Sequence, residues 1–152
     1  MKPSGNKIGR VYAESKHGYY FSVLVFDTLK EMRAYASRTT KNSKPYFRPA
    51  LAATLATGRF QVKELGQFCF YRGHLGTEII AHEATHGAMR WCEAKNLPLI
   101  NRESPNYRLG RACDAEERFC CAVGHLASQM ATMFYDSGFY DNEINDWVSG
   151  NK

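Results

Sequence analysis

The chain has 152 residues, enough for one domain with its own core, and 44% of them are apolar, which argues against wholesale disorder. No apolar run reaches bilayer-spanning length, and the basic opening MKPSGNKIGR lacks the apolar segment and cleavage site of a secretory signal, so an intracellular, cytoplasmic protein without membrane contact is expected. The formal net charge of +5 is compatible with an acidic partner or nucleic acid and diagnostic of neither, because the basic residues gather only mildly, at 41–48 and 102–111.

Taken in order, residues 1–10 are expected to be a flexible lead. Arg10–Ser15 and Tyr19–Phe26 read as strands around a Lys16-His17-Gly18 turn, and YYFSVLVF has the aromatic and branched content of a buried strand. Asp27 or Thr28 can cap a helix whose Leu29, Met32, Tyr35 and Ala36 recur at helical spacing. The stretch 39–49 is polar, carries two prolines and reads as a loop. Ala50–Thr57 fits helix or strand and ends at Gly58. Phe60–Glu64 and Gln67–Arg72 read as a hairpin turning at Leu65-Gly66. Thr77 is the expected N-cap of a helix running to about Lys95 and stopping at Asn96 before Pro98. After a long connection, Asp114 is expected to cap a further helix from Ala115 to about Tyr135, and 139–152 forms a polar tail. There is no internal repeat and no second domain.

The five cysteines (Cys69, Cys92, Cys113, Cys120 and Cys121) are odd in number, include an adjacent pair and form no CxxC. Reduced thiols used as small apolar fillers are expected, not a cysteine zinc ribbon.

The chemistry concentrates in HEATH, His82 to His86. Residues four apart on a helix lie one above the other, so both imidazoles can reach one ion. Glu83 is turned about 100° from His82, where it can take a proton from water that zinc has acidified to a pKa of roughly 7. This is the mechanical content of HExxH. A third protein ligand is needed. The metzincin pattern fails, because Met89 and Cys92 stand where it has glycine and histidine, and Cys92 is rotated about 240° from His86. A later helix offers Glu116 and Glu117. Glu117 shares its face with the small residues Cys120, Cys121, Gly124 and Ser128, which would permit close approach, so Glu117 is favoured and Glu116 is the alternative.

HExxH on one helix with a glutamate opening a later one is similar to the gluzincin plan. In its short form it resembles the ImmA/IrrE-like metallopeptidases of phages, mobile elements and stress responses, over residues 67 to about 130. HEATHGAMRW…EERFCCAVGHL also resembles a type of small phage-encoded protein of unassigned function. The resemblance implies an α+β, single-domain zincin-like fold over 1–152, with a small mixed or antiparallel sheet packed on an active-site helix and a second, ligand-bearing helix. It implies a zinc-dependent endopeptidase with Zn2+ held by His82, His86 and Glu117, Glu83 as general base, and a protein or peptide substrate. The strand FCFYR would be the sheet edge that pairs with substrate, against a plain core role for Phe68, Phe70 and Tyr71. Two features depart from the family. Its asparagine four residues after the ligand glutamate is replaced by Cys121 (Cys120 if Glu116 binds), and no helix-turn-helix accompanies the motif, so a nucleic-acid partner is not indicated. His74, Tyr107, Arg108 and His125 have the chemistry of oxyanion donors, with surface or structural roles as the plainer expectation. The alternative is a non-catalytic scaffold with structural zinc that binds a host protein or nucleic acid.

Overall fold

The computed structural model describes residues 5–14, 17–40, 52–56, 62–97 and 114–139. The expected loop beyond Thr40, the 98–113 connection, Tyr107, Arg108, both basic clusters and the tail beyond Phe139 lie outside the described residues. The described elements are β1 (Asn6–Tyr12), β2 (Tyr20–Phe26), α1 (Leu29–Thr39), β3 (Ala53–Ala56), β4 (Glu64–Tyr71), α2 (Thr77–Ala94) and α3 (Asp114–Asp136). They form a mixed α+β arrangement: a four-stranded sheet in the order β1-β2-β4-β3, with β2 and β4 parallel and the two outer pairings antiparallel.

The central position of β2 follows from its composition. Phe21, Val23 and Val25 face α2 and α3, whereas Leu24 and Phe26 face α1 with Met32 and Ala36. A strand buried on both faces needs apolar residues at successive positions, and YFSVLVF supplies them around a single Ser22, whose hydroxyl donates to Glu64. The first helix has a full capping box: Thr28 accepts from the Glu31 N–H, and the Glu31 carboxylate accepts from the Thr28 N–H.

Several boundaries differ from expectation. The strand β1 begins at Asn6, so 6–10 are not a flexible lead; pairing with β2 gives these residues their order. No hairpin turns at Leu65-Gly66. Glu64–Tyr71 is one strand, and a two-for-one register shift opposite Tyr20 and Phe21 lets Leu65 bury beside Phe68. Gly66 is required by close approach, not by a turn: a Cβ there would run into the Leu55 carbonyl oxygen on β3. The strand bearing FCFYR is not an edge. It lies between β2 and β3, and its Phe68 and Phe70 are fully buried, so the core reading holds, and among the described residues β3 is the outer strand on that side.

Gly76, not Thr77, is the N-cap of α2, and no side chain caps it. Its end is as expected: Asn96 takes a φ of 53°, Leu97 N–H donates to Cys92 O and Asn96 N–H to Glu93 O, the reciprocal pair of a Schellman stop. Along α3, Leu126 packs at Gly87 while the earlier Arg118 lies over the later Trp91, so α3 runs against α2 in the opposite direction. Gln129 brackets the outer strand β1, accepting from Tyr12 N–H and donating to Tyr12 O, which satisfies backbone that an open edge would expose. Among the described residues no helix is long and apolar enough to cross a membrane.

Candidate metal centre

The second helix, α2, buries Ile80, Ala84, Gly87, Ala88, Trp91 and Cys92 against the sheet and α3. That apolar stripe forces His82 and His86 onto the outward face, where both are exposed. Their Nε2 atoms lie 3.2 Å apart, with ring centroids at 4.8 Å and planes at 75°. Two nitrogens at about 2.0–2.1 Å from a tetrahedral zinc would stand about 3.3 Å from each other. The pair therefore fits two positions of a zinc site as it stands.

Glu83 lies between the exposed histidines and the sheet. It is 3% exposed, the one charged residue in the described core. A carboxylate buried without partners would be costly. Here Oε2 accepts a 2.5 Å hydrogen bond from Thr54 Oγ1 on β3, within the range of a charge-assisted O–H···O⁻ bond. The other oxygen, Oε1, is 4.0 Å from His82 Nε2. One carboxylate oxygen is thus anchored to the sheet and the other is turned to the histidine side. On the far face of β4, burial pushes the Cys69 thiol well above its ordinary range, and the Glu83 charge adds to the shift.

The acidic residues of α3 are placed differently. Glu116 and Glu117 are both exposed in its first turn. The small-residue face expected to meet α2 (Cys120, Cys121, Gly124, Ser128) is exposed, because α3 buries the apolar stripe of Ala122, Leu126, Met130 and Phe134 instead. Glu117 precedes Leu126, the residue that packs at Gly87, by nine positions, about 14 Å along a helix. Since α3 runs against α2, this offset is toward the Trp91 end and away from His82. The structure brings His82, Glu83 and His86 together and does not bring Glu117 or Glu116 to them. Among the described residues no three His, Cys, Asp or Glu side chains gather as a metal-holding group.

Two of the oxyanion candidates have structural contacts. His74 stacks on Tyr71 with an interplanar angle of 19°, and His125 Nδ1 is 3.0 Å from Ala13 O. Cys69 and Cys92 are buried as expected of apolar fillers, while Cys120 and Cys121 are exposed. The residue that sequence reasoning missed is Thr54. Its segment fits helix or strand by sequence, and nothing local signals that a threonine there meets a glutamate 29 positions away. Comparison with protein-family models, curated proteins and solved structures returned no match for this chain.

Proposed function

We propose that the chain is a zinc-dependent peptide hydrolase of the kind its HExxH motif resembles, the ImmA/IrrE-like metallopeptidases. His82 and His86 act as metal ligands and Glu83 as general base. The observation that carries this reading is the buried Glu83 carboxylate, held on one oxygen by Thr54 and turned by the other toward two converged imidazoles. Zinc bound at the pair would lower the pKa of water there to roughly 7 and polarise a scissile carbonyl.

The chain's own contributions follow from position. The imidazoles hold the ion at the outward face of α2. Glu83 takes the proton at Oε1 and can return it to the leaving amine, while Oε2 stays on Thr54. Among the described residues β3 is the outer strand of the sheet beside α2, and an extended peptide pairing with it would pass the histidines; such pairing is tolerant of substrate sequence. Glu117 as third ligand rests on the family plan and not on its position here.

The alternative is a scaffold with structural metal that binds a partner. Glu83 weighs against it, because a structural site has no use for a buried acid beside its ligands.

Glu83→Gln, tested on unfolded casein and a mixed peptide library, should keep bound zinc and lose cleavage by on the order of 10²-fold or more. Cleavage at the wild-type rate would refute the assigned base.

A further inference from the structure

We propose that Thr54 is a positioning residue for Glu83: its hydroxyl fixes the carboxylate so that Oε1 is presented to the histidine pair. This deepens the hydrolase reading and rests on it. The terminal torsion of a glutamate is broad, so packing alone does not fix the plane of the carboxylate or hold one of its two equivalent oxygens toward the metal side. A single strong donor on the opposite side does. Thr54 Oγ1 is 2.5 Å from Oε2 and 3.3 Å from the Glu83 carbonyl oxygen, so the hydroxyl also sits against the helix backbone at this residue.

No other residue of β3 can take the role. The strand is Ala-Thr-Leu-Ala, and Thr54 carries its sole side-chain hydroxyl. Its place is set by pairing. Thr54 lies opposite Phe68 on β4, and the Phe68 ring lies directly beneath Gly87 on α2. The missing Cβ at Gly87 lets the helix settle close to that ring. Glu83, one turn earlier on α2, then comes within reach of the strand. Sheet register, a glycine and a threonine together aim the acid.

The test uses the full chain with Thr54→Val, which keeps shape and removes the donor, and Thr54→Ser, which restores it. Each is made with Glu83 and with Glu83→Gln. In zinc-free protein, urea unfolding should show Thr54→Val lowering the folding constant by about 10-fold or more when Glu83 is present, the scale of a hydrogen bond to a charged group. In the Glu83→Gln background the loss should be clearly smaller, and Thr54→Ser should recover most of it. In Co2+-loaded protein, the visible absorption bands should shift on Thr54→Val with Glu83 present, return with Thr54→Ser, and stay unmoved with Glu83→Gln. Should Thr54→Val fail to fold, Thr54→Cys, a weaker donor, is read in the same way.

Equal losses in both backgrounds would overturn the Thr54–Glu83 contact. Coupling in folding with unchanged Co2+ bands would make the contact a packing hydrogen bond and overturn the positioning role. Failure of every variant, wild type included, to take up Co2+ would overturn the metal reading and this inference with it, while leaving the folding cycle to report on the contact alone.

Discussion

Gly87→Ala probes how closely α2 sits on the sheet. Gly87 is buried in mid-helix, where propensity alone favours alanine by about 1 kcal/mol. The added Cβ would overlap Phe68 Cζ and stand 2.9 Å from Phe68 Cε1 and 3.2 Å from Leu126 Cδ1. Phe68 is fully buried, with its ring centroid 4.8 Å from that of Phe21, so it has no free space to swing into. Overpacking of this kind costs about 1–3 kcal/mol. The balance is a net loss of about 0–2 kcal/mol, a fall in Tm of up to about 8 °C for a chain of this size. Urea unfolding of zinc-free protein followed by far-ultraviolet circular dichroism gives the number. Stabilisation by about 1 kcal/mol, the bare propensity gain, would refute the close seating of α2 on Phe68, and with it the route by which Glu83 meets Thr54.

Thiol labelling of native protein, mapped by mass spectrometry, should modify Cys120 and Cys121 and spare Cys69 and Cys92. Burial pushes both protected thiols up, aided at Cys69 by the Glu83 charge and opposed at Cys92 by Arg118; labelling of Cys69 at the rate of Cys120 would contradict the packing of β4. The same shift has a sign in pH. Folded Cys69 keeps its proton above the ordinary thiol value of 9.0, so the folded state binds more protons there and stability falls as pH rises past that value. Cys69→Ala should flatten this loss, and an unchanged alkaline profile would count against it. Glu116→Gln and Glu117→Gln should both retain bound zinc, given their distance from the histidines along α3; selective loss in Glu117→Gln would mean that α3 shifts when metal binds.

What the sequence made legible was mostly local. The 3.6-residue period and the Asn-x-Pro ending located α2 to within a residue at its C-terminus, and of the two candidate caps for α1, Asp27 and Thr28, the structure uses Thr28. The juxtaposition of His82, Glu83 and His86 was legible for the same reason, because four residues of helix determine it. What failed was long-range. Gly66 reads locally as a turn, and only its apposition to Leu55 reveals a mid-strand glycine. The small residues beside Glu117 suggested a packed face, but burial in α3 followed the larger apolar side chains one face away. Thr54 had no local signal, since its importance depends on the register of β3 with β4 and on the seat of α2 above them.

The central claim is that His82 and His86 form one metal site, and zinc binding by the purified chain tests it most directly. Titration of metal-stripped protein with Zn2+, read by calorimetry and checked by elemental analysis after desalting, should give close to one zinc per chain for wild type and for Glu83→Gln. His82→Ala and His86→Ala should each lose most of that binding while remaining folded, because both side chains project from the exposed face of α2. Full zinc binding by both histidine variants, or none by the wild type, would contradict the account.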